Sequence, residues 1–181
     1  MKAIQIDGYK KGDVKVALRD IEMPKVGDND LLVKVKAAAV NPLELLIAHG
    51  DVKMVVPYHF PLTIGNEMSG VVEQVGASVK DFQVGDRVFG RLPINRIGAF
   101  AEYVAVDAAA VAKTPDYLSD IEAAAVPLTA LTAEQALDIL KLKSGNSLFI
   151  SGGSGSFGAM AIPLAAARGL KVITSGGAKA K

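Results

Sequence analysis

The clearest chemistry in this 181-residue chain lies in Ser151-Gly152-Gly153-Ser154-Gly155-Ser156-Phe157-Gly158. Gly153, Gly155 and Gly158 stand at G-x-G-x-x-G spacing directly behind the apolar run Leu148-Phe149-Ile150. That spacing gives a tight turn, lets backbone approach a pyrophosphate, and allows the following helix to pack closely on the strand before it. The helix then faces the phosphates with unpaired N–H groups and the positive end of its dipole. Ser156 and Phe157 would present backbone N–H groups there whatever their side chains, and Ser154 completes the loop. The ligand so predicted is a dinucleotide.

Such a loop needs a strand and a helix to hold it, and the flanking sequence supplies both. Ser147 to Ser151 reads as a strand, Ser156 to Arg168 as a helix and Leu170 to Thr174 as a second strand, which together make one βαβ unit. A right-handed crossover makes the two strands parallel. Pro163 falls inside the helix, where it removes the N–H bond to the Ala159 carbonyl at a cost of ~3 kcal/mol, and a kink is expected. Upstream, Ser119-Asp120-Ile121-Glu122 has the form of a capping box that opens a short helix. Val126-Pro127 breaks it, and Leu128 to Leu142 forms a second helical stretch.

Residues 1–113 read differently, as short β segments separated by Gly, Pro, Asp and Asn turns. Strands are expected at Leu31 to Val35, Ser69 to Val75, Asp86 to Phe89 and Phe100 to Val106. The expected organisation is a β-rich domain over 1–113, followed over 114–181 by linking helices and the first βαβ unit of a doubly wound sheet. A composition 50% hydrophobic suits one good core or two small ones. The net charge of +1 comes from interleaved acids and bases and offers no basic stripe, which argues against nucleic acid or an anionic membrane as a main partner. No apolar run suits a signal peptide or a membrane span, so a cytoplasmic protein is expected. The chain has no cysteine, which excludes disulfides, thiolate catalysis and cysteine-ligated zinc, and only two histidines, His49 and His59. No metal is expected. Tyr58 and His59, in the loop before Pro61, carry groups able to offer a proton or hydrogen bond to a bound carbonyl; the alternative is that they pack or cap the loop.

The order of these features resembles the medium-chain dehydrogenase/reductase superfamily, in its zinc-free quinone oxidoreductase branch. The marks are Ala37-Ala38-Ala39-Val40-Asn41-Pro42, then Pro61 through Val72 with Gly65-Asn66-Glu67 inside it, then Val84-Gly85-Asp86-Arg87-Val88. Gly98-Ala99-Phe100-Ala101-Glu102-Tyr103 and Ala124-Ala125-Val126-Pro127-Leu128-Thr129-Ala130 follow, ahead of the glycine loop. The resemblance implies a GroES-like catalytic domain followed by a Rossmann domain. Zinc members of the superfamily have a cysteine where Asn41 stands and a histidine where Asn66 stands, so a zinc alcohol dehydrogenase is disfavoured. What is implied instead is hydride delivery from a reduced nicotinamide to a quinone or α,β-unsaturated carbonyl, with polar groups stabilising the developing oxyanion.

Asn41 resembles the family asparagine near the nicotinamide, against the plainer reading of a turn residue before Pro42. It and Tyr58 are the catalytic candidates; the proton donor is unidentified. Thr129 resembles a residue whose hydroxyl approaches the cofactor, although a threonine there also suits a helix cap. Glu67, beside the metal in zinc relatives, is read as structural. After the second nucleotide strand the chain has Thr174-Ser175-Gly176-Gly177-Ala178-Lys179, without the acidic residue that holds ribose hydroxyls in NAD-preferring folds. Ser175 and Lys179 resemble 2′-phosphate positions in NADPH-dependent relatives, so NADPH is the expected cofactor; Lys179 and Lys181 also suit a solvated chain end. A complete dinucleotide domain has about six strands in two halves, and two can be placed here. The expectation is therefore the N-terminal portion of a longer reductase, a homodimer in its full form. The alternative is a degenerate, non-catalytic nucleotide-binding or interaction module.

Overall fold

The structure, a computed structural model, describes residues 1–177. Its strands are β1 (Lys2–Ile6), β2 (Ala17–Asp20), β3 (Asp30–Ala38), β4 (Leu62–Thr63), β5 (Glu67–Val75), β6 (Arg87–Arg91), β7 (Tyr103–Asp107), β8 (Val111–Lys113), β9 (Ser147–Ile150) and β10 (Lys171–Thr174). The α-helices are α1 (Pro42–His49), α2 (Asp120–Ala124), α3 (Pro127–Leu140) and α4 (Ser156–Ala167). Among the described residues, no helix is long and apolar enough to cross a membrane.

The chain divides into two compact units, Met1–Ala125 and Val126 onward. In the first, an antiparallel five-stranded sheet has the order β7-β3-β5-β6-β8, and a three-stranded sheet has the order β2-β1-β4. The larger sheet follows from its sequence. Leu31 and Val33 of β3, Met68 and Val72 of β5, Val88 of β6 and Val106 of β7 all turn into one core and are almost fully buried. Between Leu32 and Val33, and again between Val35 and Ala37, the β3–β5 register shifts; such bulges bend a strand and re-aim the residues beyond it. At the head of β3, buried Asp30 accepts two bonds from the Arg96 guanidinium (2.7 and 2.5 Å) and one from the Gly27 N–H (2.9 Å). Arg96 holds this carboxyl below the usual aspartate range.

The segment from Thr114 to Ala125, assigned to the second domain from sequence, packs on the first unit. Ser69 Oγ donates to the Asp120 carbonyl (2.6 Å), and Arg87 reaches both the Leu118 carbonyl (2.7 Å) and Asp120 Oδ1 (2.9 Å). The capping box is formed as expected: Glu122 Oε2 accepts from the Ser119 N–H (2.9 Å) and Ser119 Oγ from the Glu122 N–H (3.3 Å).

The second unit contains α3, β9, α4 and β10. β9 and β10 pair in parallel, with Leu148 opposite Val172 and Ile150 opposite Thr174, as the βαβ reading requires. Ala133 and Leu137 of α3 meet Ala161 and Ala165 of α4 in two small buried clusters. Arg168 closes the end of α4 against Glu134 and Asp138 of α3. Helix α4 runs through Pro163 without a break in its helical assignment. Pro163 and Ala159 are both exposed, so the carbonyl that loses its N–H partner lies toward solvent, where water can satisfy it.

Candidate functional site

Two sets of residues, one in each unit, are arranged for chemistry. In the second unit the glycine loop joins β9 to α4. Its left-handed turn residue is Gly152, at φ 73°, one position ahead of the G-x-G-x-x-G glycines. A side chain there would be strained. The first and last motif glycines are fixed by close approach. A Cβ on Gly158 would lie 2.5 Å from Gly153 Cα, and one on Gly153 would strike the Thr174 side chain. Helix α4 can therefore sit against the loop only if Gly158 lacks a side chain, and the loop can sit against β10 only if Gly153 does. Gly155 is different: a Cβ there would meet only the Gly152 carbonyl, at 3.3 Å. It caps α4 in extended conformation and is exposed, as are Ser154, Ser156 and Phe157.

The first N–H groups of α4, on Ser156, Phe157 and Gly158, lack intrahelical acceptors as in any helix. A phosphate at this end would accept from them. The far side of the loop is tied to β10: Ser175 Oγ accepts from the Gly152 N–H (3.1 Å), and the Gly153 N–H donates to the Ser175 carbonyl (2.8 Å). Thr174 Oγ1 donates to the Ile150 carbonyl (2.7 Å). Ser175 thus orders the loop and is exposed beside it, while Lys179 lies outside the described residues. Thr129 sits in the first turn of α3, with Oγ1 donating to the Val126 carbonyl at 3.4 Å.

In the first unit, Asn41 is the N-cap of α1, a helix that sequence reasoning missed. The signal was there: Asn41-Pro42-Leu43-Glu44 places a capping residue, a proline at the first helical position and a glutamate at the third. Glu44 Oε2 accepts from the Asn41 N–H at 2.7 Å, and Asn41 Nδ2 donates to Glu67 Oε2 at 2.7 Å. The asparagine is thus held at its backbone by one glutamate and at its side chain by another. Glu44, Asn66 and Glu67 are almost completely buried, at 5%, 0% and 1% exposure. Glu44 Oε1 and both amide atoms of Asn66 have no hydrogen-bond partner among the described residues. Burial drives the Glu44 carboxyl above its ordinary pKa, with the Glu67 charge adding to the rise. The backbone N–H groups of Asn41, Glu44 and Asn66 oppose it.

Beside this cluster is an open cavity of about 470 Å³. Its wall is apolar, including Val16, Leu45, Ile64 and Phe100, except for Asn41 and Glu44. Tyr58 and His59 do not line it. The Tyr58 hydroxyl donates to the Ile94 carbonyl (2.6 Å) and its N–H donates to Tyr9 Oη (2.8 Å), which ties loops together. Burial raises the Tyr58 pKa. His59 is exposed.

Residues 27–116 match the alcohol dehydrogenase GroES-like domain. Along almost its whole length the chain is 35% identical to the chloroplastic quinone-oxidoreductase homolog of Spinacia oleracea, covering 99% of this chain and 56% of that one. The chain belongs to the medium-chain dehydrogenase/reductase superfamily, in its quinone oxidoreductase branch. It is also 34% identical to the 2-methylene-furan-3-one reductase of Solanum lycopersicum, over 91% of this chain and 44% of that one. Escherichia coli quinone oxidoreductase, solved in complex with NADPH, superposes with a TM-score of 0.82 at 25% identity, over 99% of this chain and 53% of that one. The chain spans about half the length of the curated relatives it matches.

Zinc does not fit the residues at the superfamily's metal position. Asn41 and Asn66 present neutral carboxamides where zinc would take thiolate or imidazole. Among the described residues, no group of three His, Asp or Glu side chains could hold a metal ion.

Proposed function

We propose that this chain carries the catalytic domain and the first nucleotide-binding unit of an NADPH-dependent, zinc-independent oxidoreductase that reduces quinones or α,β-unsaturated carbonyls. The observation that carries this reading is the glycine loop, in which Gly153 and Gly158 leave no room for side chains while Gly155 leaves its outer face open. A pyrophosphate fits that face, with N–H groups of Ser156 and Phe157 donating to it. Bound NADPH would supply the hydride. The absence of an acidic residue at Thr174-Ser175-Gly176-Gly177 and the exposed Ser175 hydroxyl favour a 2′-phosphate over a free ribose. Ser175 and Lys179 are the residues assigned to it, and Thr129 is assigned to the cofactor.

The chain's own contribution to the chemistry is electrostatic and positional. Asn41, held by Glu44 and Glu67, presents a fixed amide at an apolar wall, where a hydrogen bond to developing negative charge counts for more than in water. An apolar wall with few polar groups suits a flat, hydrophobic carbonyl compound better than a sugar or a charged metabolite. Names of relatives support the same class, since one is a quinone-oxidoreductase homolog and another a furanone reductase. Homodimer formation is proposed for the whole protein.

Oxidation of NADPH in the presence of a panel of quinones and simple enones tests this reading. Acceptor-dependent loss of NADPH absorbance is expected. Saturable NADPH binding without turnover on any acceptor would favour instead a non-catalytic nucleotide-binding module.

A further inference from the structure

We propose that Leu45 and Val16 select acceptors that carry an uncharged apolar substituent, holding it along α1 while the acceptor's carbonyl sits at Asn41; this rests on the reductase reading above. Both polar residues in the wall of the cavity, Asn41 and Glu44, belong to the N-cap and first turn of α1. Glu44 Oε1 is buried out of a ligand's reach, and Oε2 accepts the Asn41 N–H. Asn41 Nδ2 gives one proton to Glu67 Oε2 and retains a second. The polar contact left for a bound carbonyl is therefore the Asn41 amide, acting as donor.

From that end the cavity turns apolar along the helix. Leu45 and Ala48 follow Asn41 at the spacing that keeps side chains on one helix face. Leu45 is 56% exposed and Val16 55%, so a bound molecule can cover both. Val40 is exposed as well, but it adjoins Asn41 in the chain and so belongs to the carbonyl end. Bare apolar side chains scattered singly would mean nothing; here they line one cavity whose polar group lies at its end. Its volume of about 470 Å³ falls in the range that encloses a drug-sized ligand, more than a single six-membered ring fills.

The wall also says what the substituent is not. Among the described residues, no lysine, arginine or histidine lines the cavity. A carboxylate or phosphate on the substituent would lose water there and find no partner. An alkyl chain gains instead, by about fourfold in affinity for each methylene fully buried.

The test uses the full chain with NADPH and two acceptors that share one enone, 3-penten-2-one and 3-nonen-2-one. Wild type should favour the longer by at least tenfold in kcat/KM, and 8-oxonon-6-enoate, the same chain ending in a carboxylate, should lose that advantage. In Leu45→Gln and in Val16→Thr the preference for the longer enone should fall at least threefold. Ile139→Gln, which removes an equally bare apolar side chain from α3, should keep it. With methyl-labelled leucine and valine, the unreactive ketone 2-nonanone should saturably shift the signals that are missing from the Leu45 and Val16 variants. Equal kcat/KM for the two enones, or an unchanged preference in both variants, would overturn the proposal and leave the reductase reading standing. Turnover without any shift of those methyl signals would overturn it too. Saturable shifts with no enone reduced would remove the reductase reading and the role of these residues in acceptor choice with it.

Discussion

The loop from Gly152 to Gly158 is built from backbone, whereas the cluster of Asn41, Glu44, Asn66 and Glu67 is built from buried side chains. In the loop, function depends on what is missing. Gly158 must lack a Cβ for α4 to meet Gly153, and at Gly155 a Cβ would meet only the Gly152 carbonyl, which leaves the outer face open to the proposed phosphate. In the cluster, the notable groups are present but unsatisfied: a carboxyl oxygen and a whole carboxamide, buried with no hydrogen-bond partner among the described residues. The first kind of site is insensitive to pH and intolerant of bulk. The second is built on burial, which raises the Glu44 carboxyl above its ordinary pKa.

The largest effect should come from attacking the loop's packing. Gly158→Ala places a Cβ 2.5 Å from the Gly153 backbone, a clash that costs about 3 kcal/mol or forces the loop open. NADPH binding, followed by fluorescence titration, should weaken at least a hundredfold, while the core of the first unit keeps its near-UV signature.

The counterpart in the first unit is Asp30→Asn. It breaks the bidentate pair with Arg96 and should cost about 2 kcal/mol in urea unfolding, since charge-assisted bonds of this kind are the strong ones. NADPH affinity should not change. Arg96 depresses the Asp30 pKa below its unfolded value. Its stabilisation is therefore complete above the ordinary aspartate range and lost as pH falls through the lowered folded value, a dependence the asparagine variant should lack.

A sharper separation of fold from ligand comes from Gly155→Ala. The new Cβ meets only one carbonyl, at 3.3 Å, and the backbone at φ −82° suits alanine. Unfolding should shift by less than about 1 kcal/mol, yet NADPH should bind about tenfold more weakly because the methyl stands where the pyrophosphate approaches. Equal affinity would mean the ligand does not use this face. Smallest of all, Ser175→Ala removes the acceptor of the Gly152 N–H, worth about 1 kcal/mol, and should narrow any preference for NADPH over NADH by a few-fold.

The same contrast explains what could be read in advance. The glycine loop and the Ser119 capping box are local, set by neighbours within a few residues, and the parallel strands β9 and β10 are joined by a single helix; the structure keeps them nearly where the sequence places them. Strand β1 and the short β4 were missed because their pairing, Gln5 with Thr63, joins residues far apart in the chain. The expected kink at Pro163 rested on the loss of a bond to the Ala159 carbonyl, and that carbonyl's exposed position reduces the loss. Gly152 was overlooked as the turn residue because the motif names its neighbour. Asn41 was singled out only through family likeness, and Glu44 not at all. The capping pattern Asn41-Pro42-Leu43-Glu44 would have revealed α1. That Glu44 also lies beside Glu67 and a cavity wall is a tertiary fact, produced by the meeting of α1 with β5, and no local pattern carries it.

The most direct test of the account is a fluorescence titration of the chain with NADPH and, in parallel, NADH, repeated on Gly158→Ala. Saturable binding of NADPH, tighter than that of NADH and lost in the variant, is the predicted result. Failure of the wild-type chain to bind either nucleotide, or an affinity unchanged by a side chain at position 158, would contradict the assignment of this loop as a dinucleotide site.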